Sequence, residues 1–112
     1  MMNRTHALVT LALSLLTATS VLAWPDKPVT IVVPFPPGGG TDTGARIVGQ
    51  RLSAKWGQSV IIDNKGGAAG QLGADHVAKA KPDGYTLLMG NLGTQAINPA
   101  LYKKMPYDPD KA

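Results

Sequence analysis

The chain has 112 residues, a formal net charge of +4 and no cysteine. The absence of cysteine excludes disulfide bonds, thiolate chemistry, a lipidated cysteine and most structural zinc sites. The 11 basic residues are scattered in runs of no more than two, which argues against a nucleic-acid-binding surface, where basic residues cluster with aromatic ones.

Residues 1–23 have the organisation of a secretory signal peptide. Arg4 places a positive charge before an apolar segment at 7–16, and Val21 and Ala23 supply small residues at the two positions that signal peptidase reads. The apolar segment is too short to span a membrane. We predict cleavage after Ala23, so that the mature chain begins at Trp24 and is a free exported protein, not a lipoprotein.

The first strand is predicted at Val29–Val33, where every residue is β-branched. Such a run is typical of a strand buried on both faces, so we expect this strand to be central in its sheet. A proline- and glycine-rich loop follows at 34–40, and apolar spacing predicts a helix over Asp42–Trp56 that ends at Gly57. The buried stripe of this helix is predicted to contain Ala45, Val48, Leu52 and Trp56.

Two more strand–loop units follow in the sequence. A second strand at Val60–Ile62 ends at Asp63–Asn64 and leads into a glycine-rich loop at 65–70. A helix over Gln71–Ala80 comes next, and its modest apolar face is predicted to be Leu72, Val77 and Ala78.

A turn at 82–84 then leads into a third strand, predicted at Tyr85–Met89. A small polar loop follows at 90–94, and a short helix within Gln95–Tyr102 is expected to be interrupted at Asn98–Pro99. The tail from Lys103 is predicted to be an extended connector.

The resulting β-α-β-α-β order predicts an α/β fold with a parallel sheet and right-handed crossovers. In open sheets of this kind, ligands bind at the carboxyl ends of the strands, where the strand order reverses. Strands one and three flanking such a point would bring the loops at 35–41 and 90–94 together.

The loop at 38–40 has two possible roles. Three glycines allow close approach of the backbone, and Thr41 or Asp42 can cap the following helix, so open N–H groups and the helix dipole would form an anion-binding site. Alternatively, the loop is a glycine-rich turn with a capped helix and no ligand. Phe35 likewise either walls a pocket or fills the core beneath the loop.

Known catalytic motifs do not fit. A dinucleotide fingerprint starting at Gly38 needs glycine at Thr43, and the loop lacks the lysine of a phosphate-binding P-loop. His76, the only histidine after the predicted leader, has no acid–base partner nearby in sequence. No catalytic residue, metal site or cofactor is therefore predicted.

Polar side chains near the two loops are candidate ligand contacts. Asp42 could contact a ligand or act as a base, although an acid in the first turn of a helix usually serves the cap and dipole. Asn91, Thr94 and Asn98 could bind a solute or satisfy the backbone of the turn, and we favour the ligand role because they follow a strand end that should face the first loop.

Several segments in order resemble one family across essentially the whole predicted mature chain. They are Trp24–Pro28, Val33–Asp42, Gly57–Val60, Asp63–Gly70, Pro82–Leu88, Ala96–Pro99 and Leu101–Pro109. The chain resembles the extracytoplasmic solute receptors of tripartite tricarboxylate transporters, also called Bug receptors. The resemblance implies a periplasmic binding protein of the two-lobe, type II kind that captures small carboxylates for a membrane permease and is not an enzyme.

The resemblance also implies a ligand site built from two loops. By motif position it contains Phe35, Gly39, Gly40, Thr41, Asp42, Gly90, Gly93, Thr94 and Asn98. Neither loop contains Arg or Lys, so a carboxylate there is expected to meet backbone N–H groups, the helix dipole and water rather than a salt bridge.

Family members have two lobes, so residues 24–112 are predicted to be an incomplete first lobe without the second and not competent alone. The third strand is expected to leave a sheet edge and the apolar side chains of Leu87 and Met89 exposed. Two other functions stay open at this point: a small secreted α/β interaction domain without a ligand, and a phosphate- or nucleotide-handling enzyme.

Overall fold

The computed structural model describes residues 23–111, so the predicted signal peptide lies outside the described residues apart from Ala23. Within them the chain forms a three-stranded sheet with helices. The elements are β1 Val29–Val33, α1 Gly40–Trp56, β2 Val60–Asn64, a 3₁₀ turn Ala68–Gly70, α2 Gln71–Lys79, β3 Thr86–Leu88, a π-helical turn Gly93–Ile97 and α3 Asn98–Leu101.

The sheet is parallel with the order β2-β1-β3, which confirms the predicted α/β fold and the central place of the first strand. Val29 pairs with Val60 on one side, and Thr30 pairs with Thr86 on the other. The two crossovers run in opposite directions across the sheet, so right-handed connections place α1 and α2 on opposite faces. Because helices cover both faces of the sheet, β1 is buried along its length.

The core on the α1 side is centred on Ile31, Val33 and Ala45. Half-buried apolar side chains surround these three residues, and they are Phe35, Leu52, Val60, Ile62, Leu87 and Met89. The last two therefore pack against the core, and the prediction that β3 leaves them exposed is wrong.

Helix α1 begins at Gly40, two residues before the predicted start, and its buried stripe differs from the prediction. Val48 is 43% exposed, whereas Gly49 is buried. A Cβ built on Gly49 would lie 3.1 Å from Ile62 Cδ1. The helix packs so closely on β2 that this position takes glycine, a residue that apolar periodicity does not count.

Helix α2 shows the same effect. The predicted face residue Leu72 is 58% exposed and Ala78 is also exposed, while Gly73 and Ala74 are buried. The helix approaches the end of β1 through its backbone at Gly73. The predicted apolar face is therefore wrong except for Val77, which is half-buried.

The segment after β3 forms a π-helical turn that continues directly into α3. The predicted interruption at Asn98–Pro99 is a change from π-helix to α-helix, and Pro99 has no N–H to donate to the preceding turn. The tail is fastened by Tyr107, which is buried and donates its hydroxyl to the Thr94 carbonyl at 2.6 Å.

The amino-terminal edge of the sheet carries an aromatic cluster. The Trp24 ring lies 5.0 Å from the Trp56 ring and 6.1 Å from the Tyr85 ring, measured between centroids. Lys27 Nζ lies 4.4 Å from the centroid of Tyr85. These contacts hold the start of the described chain against the end of α1. No helix within residues 23–111 is long and apolar enough to cross a membrane.

Candidate functional site

The loops that follow the three strands meet over the carboxyl end of β1. The side-chain amide of Asn98 donates to the Ala69 carbonyl at 2.8 Å, which joins the second loop to the start of α3. A Cβ built on Gly70 would lie 2.7 Å from Thr94 Cγ2 and 3.1 Å from Phe35 Cζ. Phe35 therefore sits where all three loops converge, between the core beneath it and the loops around it.

The glycine run of the first loop is open. All three glycines are exposed, and a Cβ built on any of them would meet nothing within 4 Å. Gly39 is the N-cap of α1 and offers no side-chain cap, so the prediction of a Thr41 or Asp42 cap is wrong. The first N–H groups of a helix have no partner within the helix. At this helix start Gly39 and Gly40 are exposed and lie at the positive end of the dipole.

Backbone conformation distinguishes the glycines. Gly38 has φ of +99°, which L side chains rarely adopt, whereas Gly39 is extended with φ of −80°. Glycine is thus required by conformation at Gly38. At Gly39 the conformation does not require glycine, but the absence of a side chain leaves open space next to the helix N-terminus.

Asp42 lies just inside the helix and is only 4% exposed. Its Oδ2 accepts hydrogen bonds from the Gly38 N–H and from Arg46 Nε, both at 3.0 Å. Its Oδ1 accepts a bond from Asn64 Nδ2 at 2.9 Å. The hydrogen bond from Arg46 first, and then those from Gly38 and Asn64, lower the pKa of Asp42 to about 2. Such a group stays ionised at neutral pH and is a poor base.

Arg46 and Asn64 were missed by the sequence analysis. Arg46 Nη2 donates to Asn64 Oδ1 at 3.2 Å, and Asn64 Nδ2 also donates to the Phe35 carbonyl at 3.2 Å. Neither loop contains Arg or Lys, but the Arg46 guanidinium of α1 lies beside the first loop through its bond to Asp42. The spacing of Asp42 and Arg46 by four residues in a helix could have indicated their ion pair, whereas Asn64 reaches the loop only through the pairing of β2 with β1.

The polar groups of the third loop bond their own backbone. Thr94 is fully buried, and its Oγ1 accepts from the Asn91 N–H at 3.1 Å. Asn91 Oδ1 in turn accepts from the Thr94 N–H at 3.2 Å. Asn98 is likewise bonded to the Ala69 carbonyl. All three side chains therefore bond backbone groups of the loops, which is the alternative to ligand binding that the sequence left open. Gly90 is exposed and Gly93 half-buried at the same edge.

The second loop is conformationally strained. Ala68 and Ala69 have φ of 49° and 56°, and the glycines on either side of this pair also have positive φ. Left-handed alanine is unfavourable, so the contacts of this loop with Asn98 and Phe35 must hold it in place.

Two grooves lie along the edges of the sheet, away from the glycine run. One groove of about 560 Å³ is lined by residues of α1 and β2, and another of about 340 Å³ is lined by residues of α2 and β3 and reaches Gly90. Within residues 23–111 no cluster of His, Asp or Glu could hold a metal ion.

The sequence profile of a family described as the tripartite tricarboxylate transporter family receptor matches residues 44–112. The chain belongs to this receptor family. Protein BugT of Bordetella pertussis is 38% identical over 112 residues, which cover 95% of this chain and 34% of BugT. That similarity takes in the first loop as well.

Two solved structures from Rhodopseudomonas palustris are similar in fold and sequence. Rpa4515 with adipate has a TM-score of 0.76 and 48% identity, covering 79% of this chain and 29% of that one. MatC with bound malate has a TM-score of 0.74 and 47% identity, covering 78% and 30%. The chain thus spans about a third of the length of these relatives, and the family and fold that its sequence predicted are confirmed.

Proposed function

We propose that this chain forms one wall of a periplasmic receptor site that captures a small carboxylate for a tripartite tricarboxylate transporter. The observation that carries the proposal is the uncapped, solvent-facing start of α1 at the carboxyl edge of the sheet. Relatives of similar fold hold adipate and malate, both of which are dicarboxylates. The chain acts as a receptor and not as an enzyme, and its partners are the permease subunits of the transporter.

The ligand carboxylate accepts hydrogen bonds from the backbone N–H groups of Gly39, Gly40 and Thr41, directly or through water. The N–H of Gly38 is already bonded to Asp42 and is not part of this set. Gly90, Gly93 and the edge of Phe35 form the neighbouring surface. Asp42, Thr94 and Asn98 shape the loops instead of contacting the ligand.

Binding by one wall alone is weak. A hydrogen bond to a charged group contributes about 1.5–3 kcal/mol net, and association costs several kcal/mol of lost translational and rotational freedom. One or two such bonds therefore give affinity in the millimolar range, which corresponds to about 4 kcal/mol. The second lobe of a two-lobe receptor would supply the remaining contacts and exclude water.

An NMR titration of the purified chain beginning at Trp24 tests this mode of carboxylate binding. Malate and adipate should shift the amide signals of Gly39, Gly40 and Thr41 with millimolar saturation, and the uncharged diamides of the same acids should not. Gly39→Val should abolish the shifts while the fold is kept, because the extended backbone there accepts valine but its side chain covers the N–H groups.

Gly44→Ala is the matched control, since it adds a methyl group to the same helix in open space. It should leave the shifts unchanged. Equal shifts in wild type and Gly39→Val, or shifts confined to other parts of the chain, would show that the carboxylate is not bound at the start of α1.

A further inference from the structure

Asp42 raises an electrostatic problem for an anion-binding site at the start of α1. Its carboxylate is ionised, 4% exposed and bonded to Gly38, while the proposed N–H donors lie between these two residues in the chain. A buried negative charge so close would repel a bound carboxylate and offset much of the attraction of the helix dipole.

Arg46 lies where it compensates this charge. Its Nε is 3.0 Å from Asp42 Oδ2, and its Nη2 is 3.2 Å from Asn64 Oδ1. The nearby acid of the second strand, Asp63, has a separate partner, because its Oδ2 lies 3.4 Å from Lys65 Nζ. The charge balance next to the first loop is therefore set by Asp42 and Arg46.

We infer that Arg46 is a positioning and specificity-determining residue: by neutralising Asp42 it makes the start of α1 attractive to anionic ligands. The same guanidinium, bridging Asp42 and Asn64, holds the loop against the end of β2. This inference rests on the proposed function. Selectivity for charged over neutral solutes then depends on Arg46, which lies about one helical turn beyond the N–H donors.

Charge and geometry can be separated by a set of variants. Arg46→Gln removes the charge, Arg46→Lys keeps it without the two-pronged geometry, and the double variant Asp42→Asn with Arg46→Gln removes both charges. In the double variant, a flip of the Asn64 side-chain amide lets its oxygen accept a hydrogen bond from the amide group introduced at position 42. The loop therefore keeps a hydrogen bond to the end of β2. Arg51→Gln is the matched control, because it removes one positive charge from the same helix farther from the loop.

The first measurement is the NMR titration with malate, the monoanion acetate and the neutral diamide of malic acid, at low ionic strength. Arg46→Gln should weaken malate binding about tenfold, acetate binding less and diamide binding not at all. Arg46→Lys and the double variant should regain most of the malate affinity, and added salt should reduce the differences. If the double variant is as weak as Arg46→Gln, the effect is loss of structure and the inference is wrong.

The second measurement needs no ligand, so it separates failure of this inference from failure of the proposed function. Exposed amides exchange their hydrogen through hydroxide, which negative potential repels. In Arg46→Gln, the exchange of the Gly39, Gly40 and Thr41 amides at neutral pH should slow severalfold, and the double variant should restore it.

A loop that has merely loosened would instead exchange faster in both variants, and that result would overturn the inference. Trimethylamine N-oxide in all samples favours the folded state of each variant. Arg51→Gln should exchange as the wild type does. If malate binds nowhere but exchange slows as expected, the proposed function fails while the charge compensation by Arg46 stands.

Discussion

Gly73→Ala should destabilise the fold, although replacing glycine by alanine inside a helix normally stabilises it. The usual gain is about 0.5–1 kcal/mol, because alanine restricts the unfolded chain and favours the helix. At this site the added Cβ would lie 2.8 Å from the Lys65 carbonyl oxygen, from Pro34 Cα and from Pro34 Cβ. Two of these atoms are backbone and the third belongs to a proline ring, so none can move away by a side-chain rotation.

The overpacking therefore falls in the upper part of the usual range of about 1–3 kcal/mol. After the gain in helix propensity is subtracted, we expect a net loss of about 1–2 kcal/mol in the free energy of unfolding. The control is Gly44→Ala in α1, where the new methyl group meets nothing within 4 Å. That variant should gain about 0.5–1 kcal/mol.

Urea unfolding followed by tryptophan fluorescence and circular dichroism measures both variants against the wild type. The Trp24–Trp56 pair supplies a tertiary signal, and the helices supply a secondary one. The midpoint should fall for Gly73→Ala and rise for Gly44→Ala with the slope unchanged. A neutral or stabilised Gly73→Ala would show that α2 does not approach Pro34 and Lys65 as closely as described.

Three further outcomes are expected. Because the pKa of Asp42 falls from 3.8 to about 2 on folding, its contribution to stability is complete above about pH 5 and is lost progressively as pH falls through 2. The urea midpoint of Asp42→Asn should therefore fall less with acid than that of the wild type, and a parallel decline in both proteins would contradict this. Tyr107→Phe should cost about 1–3 kcal/mol in the same assay, because it leaves the buried Thr94 carbonyl without its donor, and an unchanged midpoint would show that the tail is not docked. Amino-terminal sequencing of the exported protein should begin at Trp24, and an intact Met1 in the periplasmic fraction would refute the predicted cleavage.

The sequence by itself determined the order of the elements and the direction of the sheet. The β-branched run of β1 indicates a strand buried on both faces, and alternation of strands with helices leaves a parallel sheet as the natural arrangement. It also indicated which edge of the sheet carries the glycine-rich loops. These properties follow from local periodicity and from connection rules, which one chain shows without its tertiary contacts.

Tertiary structure decided which residues pack and which polar groups remain available. Gly49 and Gly73 are buried in place of Val48 and Leu72, because both helices approach the sheet too closely for a larger side chain. Glycine carries no hydrophobic signal, so periodicity passed over both positions.

The candidate site divides in the same way. The open loop before α1 was predicted, but the use of the Gly38 N–H by Asp42 and the reach of Arg46 to Asn64 were not. Asn64 lies 22 residues from Asp42 in the chain and meets it only because β2 pairs with β1 in register, Val33 opposite Asn64. A hydrogen-bond network that closes across two strands and a helix depends on that register, and no local pattern in the sequence encodes it.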